Sequence, residues 1–505
     1  MIRQKINVDA KIDLGGLAGR VSSGALVLGV GSGVYAVVNI VSAILLARLL
    51  GPDEFGLVAM VTSFTCFVQV LKDGGLSAVT VQKERLRDQE VSNLFWINVL
   101  FGACGTVLVC LLSPVMVWFY QRDELLIVTV TLSSCFFIGG IGVQHRALLS
   151  RLMRFRSLAL INVLSVVSGS LVGIAIAFRG HGVWALVAMQ VSTAVVEVAC
   201  LWYCAGWLPK WPMREEGLLG SLRFGSAVAI RRSLRQIERM GGYIVLGRFI
   251  DASAVGAYSR GFALIVRPLD QLMAPIGGVF IPTLSRMQGD PDRFNAVFRR
   301  ACSVIGLGLF PLSGICLATG DSIAVWLLGP KWLAAGEVFR ALWGCFISIP
   351  VGYVIMWPLI AHARTRAIIA VGIVAAGVSA LAFGSGVVYG AQGVAWAYSI
   401  SSLVLILPIQ FAIVGRRGPV TAKNLWGVMW SYCPLAVVAF VGASIGSRSV
   451  LDHDIGIVAS CGCLGGVAAA SLFVLSMPAR RREVIYLVRA IVGAVARFMV
   501  GGKNE

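Results

Sequence analysis

The sequence predicts an all-α polytopic membrane protein of fourteen transmembrane helices, built as two pseudo-symmetric six-helix lobes plus two C-terminal helices. Three observations carry that prediction. The 505-residue chain is 58% hydrophobic and only 13% charged, with a mean hydropathy of +0.85, whereas a soluble surface of this size needs far more charge. Apolar blocks long enough for a ~30 Å hydrocarbon slab recur along the whole chain. Its basic residues fall mostly on alternate connections between those blocks.

Residues 1–22 are polar and basic (Arg3, Lys5, Lys11, Arg20) and form a cytoplasmic N-terminal segment. The following apolar run, about 24–50, is too long for a signal-peptide core and is kept as the first span. Further blocks lie near 55–71, 94–119, 125–144, 158–178, 183–207, 224–250, 255–282, 302–319, 334–360, 367–389, 393–414, 426–446 and 455–477. With the N-terminus inside, thirty Lys and Arg sit on the cytoplasmic side and six outside. That asymmetry returns the C-terminus to the cytoplasm and accounts for most of the net charge of +19. Nucleic-acid binding is therefore not implied. The segmentation reads 23–222 as an N-lobe of helices 1–6, 223–420 as a C-lobe of helices 7–12, 421–478 as helices 13–14, and 479–505 as a basic tail. Arg480, Arg481, Arg482, Arg489 and Arg497 lie among apolar residues in that tail, as in an interfacial amphipathic helix on anionic lipid.

An internal repeat supports the two lobes. LARLLGPDEFGLV (46–58) aligns with LGRFIDASAVGAY (246–258), matching Leu46 with Leu246, Arg48 with Arg248 and Gly56 with Gly256. Gly182-Val183-Trp184-Ala185 echoes Gly393-Val394-Ala395-Trp396-Ala397. Parallel repeats of this kind place a binding site between the halves and suit alternating access.

Seven basic residues remain for the membrane interior: Arg231, Arg232, Arg235, Arg239, Arg260, Arg267 and Arg340. Arg231, Arg232, Arg235, Glu238 and Arg239 fall within an arc of about 120° at ~100° per residue. An arginine at the bilayer centre costs at least ~2.5–3.5 kcal/mol, so a lipid-facing stripe is excluded. The stripe is expected to line a wet cavity that holds negative charge, although Arg231 and Arg232 also suit cytoplasmic headgroups. Arg260 and Arg267 share a face of helix 8, and Asp270 follows between Pro268 and Pro275. Arg267 and Asp270 read equally as a gate or as a helix-locking pair. Glu197, deep in helix 6, reads as a proton carrier or an interhelical hydrogen-bonding group. Glu337 and Arg340 read as a local i,i+3 pair.

Catalytic signatures are missing. There is no Walker A sequence and no H-E-x-x-H, so the expectation is a protein that is not an enzyme. The twelve cysteines lie almost wholly in apolar runs and read as small hydrophobes; the four histidines lie in connecting segments. No metal and no cofactor are expected.

The segments LLGPDEFGLVAM (49–60), KDGGLSAVTVQKE (72–84), NLFWIN (93–98), GVWAL (182–186) and, above all, 246–290 resemble a known family. It is that of the Wzx-type polysaccharide flippases of exopolysaccharide/colanic-acid type, in the polysaccharide-transporter branch of the multidrug/oligosaccharidyl-lipid/polysaccharide exporter superfamily. The resemblance implies movement of a polyprenyl-pyrophosphate-linked oligosaccharide across a bacterial inner membrane, driven by an ion gradient. It implies substrate-binding roles for Arg231, Arg235 and Arg239 in a cationic cavity, with Arg232, Arg260 and Arg267 as further candidates. Glu238, Asp270 and Glu197 are the coupling or gating candidates. Partners implied are the lipid-linked saccharide, membrane lipids, and a polysaccharide polymerase and co-polymerase. One departure stands out: similar proteins often carry an acid where this chain has Gly242, and Glu238 lies one turn earlier. A multidrug antiporter of the same superfamily and a polymerase or ligase acting on the same lipid carrier are the competing readings.

Overall fold

The computed structural model describes residues 17–73, 77, 80, 81, 87–213, 236, 239–362, 364–416, 420–449 and 454–476, with side-chain burial from residue 31 onward. The described residues are helical almost throughout and include no strand. Nine of their helical stretches are long and apolar enough to cross a membrane, or up to eleven if each of two bent pairs is one span.

The chain divides into two compact units, residues 1–260 and 261–505. In the first unit the helices are α1 (Leu17–Leu49), α2 (Pro52–Asp73), α3 (Asp88–Tyr120), α4 (Glu124–Arg151), α5 (Phe155–Phe178), α6 (Val183–Ala205) and α7 (239–249). The division falls inside α8 (Ala252–Ser285). α3 packs on α4, α5 on α6, and α1 along α5, while α2 lies over α3 and α4. Glycines set these distances. A Cβ at Gly102 would lie 2.7 Å from the Phe136 carbonyl oxygen, and one at Gly140 would lie 2.7 Å from that of Asn98. Close approach of this kind replaces the hydrophobic drive that lipid does not supply.

The second unit contains α9 (Pro291–Leu328), α10 (Leu333–Ala341), α11 (Cys345–Ala361), α12 (Thr365–Gly386), α13 (Gly390–Ser401), α14 (Leu407–Gly415), α15 (Ala422–Arg448) and α16 (Ile455–Ser476). α9 starts where its sequence says it should. Asp290 caps it by accepting from Arg293 N at 3.0 Å, and Pro291 occupies the first turn, where its missing N–H is not needed. The helix is the hub of the unit, contacting α10, α11, α15 and α16. α15 and α16 meet through Gly442 and Gly446, whose added Cβ atoms would lie 2.5 Å from Gly465 O and 2.4 Å from Cys461 O. Phe310, Ile315, Tyr432, Leu435 and Ala470 form the buried cluster between them.

Large apolar side chains point outward: Leu111 is 71% exposed, Leu381 76% and Leu464 69%. In water such a surface would aggregate; in a bilayer it meets acyl chains.

Several expectations need correction. The block 334–360 is two helices, with α10 and its preceding turn bent 52° from α11. His145 is not in a connection but fully buried within α4. Arg340 pairs across helices with Asp321 at 3.1 Å, instead of locally with Glu337.

Candidate functional site

Arg231, Arg232, Arg235 and Glu238, the centre of the predicted cationic stripe, lie outside the described residues, as do the N-terminal segment before residue 17 and the tail after residue 476. Arg239 opens the described part of α7 and is half-buried. α7 ends at 249, and Ala254 N donates to Asp251 Oδ1 at 2.6 Å as the chain turns into α8. Arg260 is half-buried on α8, its guanidinium 4.4 Å from the centre of the Phe55 ring. A cation over an aromatic face in a dry setting is worth ~2 kcal/mol, so Phe55 fixes this charge at the start of α2.

Gly242 faces Tyr258. A Cβ at Gly242 would lie 2.9 Å from Tyr258 Cε1 and 3.2 Å from its hydroxyl oxygen. Tyr258 is buried and packs edge-on against Tyr243. The volume that an acid at 242 would need is occupied by a phenol ring.

Glu197 is not isolated. Arg146 Nη2 donates to Glu197 Oε1 and to Asn162 Oδ1, both at 2.8 Å. The three groups come from α6, α4 and α5. Sequence reading assigned Arg146 to a cytoplasmic connection; extension of α4 to Arg151 brings it into the helix.

In the second unit, Asp270 accepts a 2.6 Å hydrogen bond from Tyr353 Oη on α11, while Arg267 is exposed. Pro268 precedes Asp270 by two residues, and Tyr353 lies between Pro350 and Pro358. The bond therefore joins two helices at proline positions, where backbone carbonyls lack their usual partners. Tyr353 was not among the predicted site residues; nothing in its local sequence marks it. A cleft of about 420 Å³ between α9, α11, α14 and α15 is lined by Phe310, Val354, Phe411, Met429 and Tyr432 among others. Its lining is apolar and carries no charged side chain.

Among the described residues no group of three His, Cys, Asp or Glu side chains is placed to hold a metal ion.

The connection after α6 is held tightly to the start of α3. Asp88 accepts from Trp207 Nε1 at 2.7 Å and pairs with Lys210 Nζ at 2.8 Å. Asn93 bonds both backbone groups of Met213, at 2.9 and 2.8 Å. Trp96 donates to Lys210 O at 2.9 Å, and its ring stacks on Trp211 at 5.6 Å between centroids.

A protein family described as "Polysaccharide biosynthesis protein" matches residues 45–337. The chain is 28% identical to the teichuronic acid biosynthesis protein TuaB of Bacillus subtilis (strain 168) over 329 residues, 64% of this chain and 67% of that one. It is 25% identical to the succinoglycan biosynthesis transport protein ExoT of Rhizobium meliloti (strain 1021), covering 59% of this chain and 60% of that protein. With the lipopolysaccharide biosynthesis protein WzxC of Escherichia coli (strain K12) it shares 24% identity, over 63% and 66% of the two chains. The matched stretch thus spans about two thirds of these relatives or less. Among solved structures, the inward closed conformation of the lipid II flippase MurJ superposes with a TM-score of 0.66 at 13% identity, over 89% of this chain and 98% of that one. An inward-facing multidrug resistance MATE family transporter of the MOP superfamily gives 0.56 at 12% identity, over 79% and 96%. At such identities the likeness concerns the fold alone.

Proposed function

The chain belongs to the polysaccharide biosynthesis protein family, and from that premise we propose that it is a flippase for a polyprenyl-pyrophosphate-linked oligosaccharide. The carrying observation is that the family match, residues 45–337, contains the whole arginine-bearing stretch from Arg231 to Arg267. A diphosphate headgroup pairs with Arg231, Arg235 and Arg239, with Arg232, Arg260 and Arg267 as further contacts. Arginine suits this ligand because its planar fork bonds two oxygens at once. The relatives' names, which speak of polysaccharide biosynthesis and transport, support the same substrate class.

The protein works by alternating access of two six-helix lobes, 23–222 and 223–420, with helices 13–14 (421–478) as an addition to both. Fourteen spans are supported by Thr365–Gly415, a helical stretch of 51 residues. At 1.5 Å per residue it is about 75 Å long, enough for two crossings of a ~30 Å core. It turns at Gly390, in the left-handed region at φ +71°, with Gly386 and Gly393 in backbone contact. The surroundings are a bacterial inner membrane with both termini cytoplasmic and the basic tail 479–505 on its surface. A polymerase and co-polymerase consume the translocated unit. Glu238, Asp270 and Glu197 are the carboxylates through which an ion gradient couples to transport.

The test is reconstitution with a fluorescent polyprenyl-pyrophosphate saccharide. Arg235→Ala is expected to abolish leaflet transfer; transfer at the wild-type rate removes the central role of that residue. A multidrug exporter shares the fold but moves mostly cationic substrates, which a cavity of arginines repels. Deletion separates the readings: loss of the flippase strands single repeat units on the inner leaflet, whereas loss of a polymerase leaves them on the outer one.

A further inference from the structure

Arg146 is placed unusually for a lipid-embedded structural pair. α4 is 28 residues long, about 42 Å at 1.5 Å per residue, and Arg146 lies five residues before its end. Its guanidinium reaches the level of Asn162 and Glu197, seven and eight residues inside the ends of α5 and α6. That depth is about 10–12 Å along each helix. A single nitrogen, Nη2, makes both hydrogen bonds. Of the five N–H donors of an arginine, three remain without a partner among the described residues. Yet the side chain is 38% exposed and that of Glu197 35%.

Uncommitted guanidinium donors exposed at such depth cannot face acyl chains, because each unsatisfied polar group there costs several kcal/mol. They face water or an anion. Among the described residues neither Arg146 nor Glu197 makes a second ion pair. On α4, His145 turns away to stack on Trp202 at 4.4 Å. On α1, which lies along α5, Asn39 donates to its own helix at Tyr35 O. Arg151 and Arg154, nearer the helix ends, donate to the Thr80 and Cys204 carbonyls.

We propose that Arg146 is a further phosphate-binding group, on the first unit, with Glu197 as its displaceable counter-ion and Asn162 as the neutral group that holds its orientation. An arriving phosphate accepts from the open Nη1, and displacement of Glu197 from Nη2 completes the planar fork that binds two oxygens together. Glu197 satisfies Arg146 while the site is vacant and competes with the ligand. The inference deepens the flippase reading and rests on its diphosphate headgroup.

Binding of farnesyl diphosphate to the purified full-length chain in detergent tests it, with farnesol as the neutral control. Arg146→Gln is expected to weaken farnesyl diphosphate binding about tenfold, the scale of a lost charge-assisted contact. Arg146→Lys, which keeps charge without the fork, falls between. Glu197→Gln moves the other way, tightening binding about threefold or more, because the competing charge is gone. A purely structural pair gives the same sign for both variants, with matched losses of thermal stability. Equal weakening by Arg146→Gln and Glu197→Gln, or no change in either folded variant while the wild type binds, overturns the inference and leaves the flippase reading standing. Failure of the wild type to prefer farnesyl diphosphate to farnesol overturns both.

Discussion

Gly56 and Gly256, the paired glycines of the internal repeat, lie against each other. A Cβ on Gly56 would lie 1.7 Å from Ala252 O, and one on Gly256 would lie 1.8 Å from Pro52 O and 3.1 Å from Gly56 N. Each glycine thus meets the residue that opens the other's helix, at matching offsets, so the contact is reciprocal. The first turns of α2 and α8 cross with backbone touching backbone, and the repeat read in the sequence corresponds to a local two-fold contact.

Since any side chain must push these helices apart, Gly256→Ala is expected to destabilise the folded protein by about 1–3 kcal/mol, the usual cost of overpacking. Gly56→Ala should cost a similar amount. Once one methyl has opened the crossing the second adds little, so the double variant is expected to fall short of the sum. Gly427→Ala, where nothing lies within 4 Å of the added atom, is the control and should not destabilise, since alanine favours an exposed helix interior over glycine. Thermal unfolding in detergent decides it; four equal midpoints would mean the crossing is not this close.

The ring of Tyr258 over Gly242 makes a second prediction. Gly242→Asp, which restores the acid common in similar proteins, should destabilise the protein by about 1–3 kcal/mol, because the carboxylate must displace a buried phenol. Adding Tyr258→Ala vacates that space and should recover part of the loss. Expression level and thermal midpoint of the two variants are the measurements. A freely tolerated Gly242→Asp would show that the ring moves aside at little cost.

The connection after α6 offers a third. Asn93→Ala removes both of its bonds to Met213, and Asp88→Ala those to Trp207 and Lys210. Each loss is worth about 1–3 kcal/mol, which raises the open population of the segment about 5- to 160-fold. Lys210 supplies a trypsin site within it. Limited trypsin digestion is therefore expected to cut after Lys210 faster in both variants than in wild type. An unchanged cutting rate would mean the segment is held elsewhere.

Fold class was legible because hydropathy and charge placement are long-range averages that survive local error. The Gly56–Gly256 crossing was legible because a crossing this tight demands glycine on both helices, and glycine leaves a mark in the sequence. Partners across helices were not. Arg340 sits one turn after Glu337, but the bend between α10 and α11 accompanies its pairing with Asp321 on α9. Glu197 lacks any neighbour in sequence, and its partner Arg146 lies 51 positions away. Helix ends also drifted: α4 runs seven residues beyond Gln144, and those residues carry His145 and Arg146 inside.

Tyr353 and Asp270 carry the last prediction, for the same reason: 83 residues separate them and no motif links them. A 2.6 Å bond to a carboxylate inside a helical span is of the strong, charge-assisted kind, worth about 1.5–3 kcal/mol. Tyr353→Phe keeps the ring and deletes the hydroxyl, so it should lower stability by about that amount without creating a cavity. Asp270→Asn keeps the shape and removes the charge. If the hydroxyl acts through Asp270, the double variant should be little worse than the worse single one, giving a coupling of about 1 kcal/mol or more in the cycle. The same four proteins in the leaflet-transfer assay separate two roles. A bond that only locks α8 to α11 affects the thermal midpoint and transfer in proportion. Participation of Asp270 in coupling is expected to make Asp270→Asn far slower in transfer than Tyr353→Phe at equal stability. Additive losses across the cycle would remove the pair as a unit.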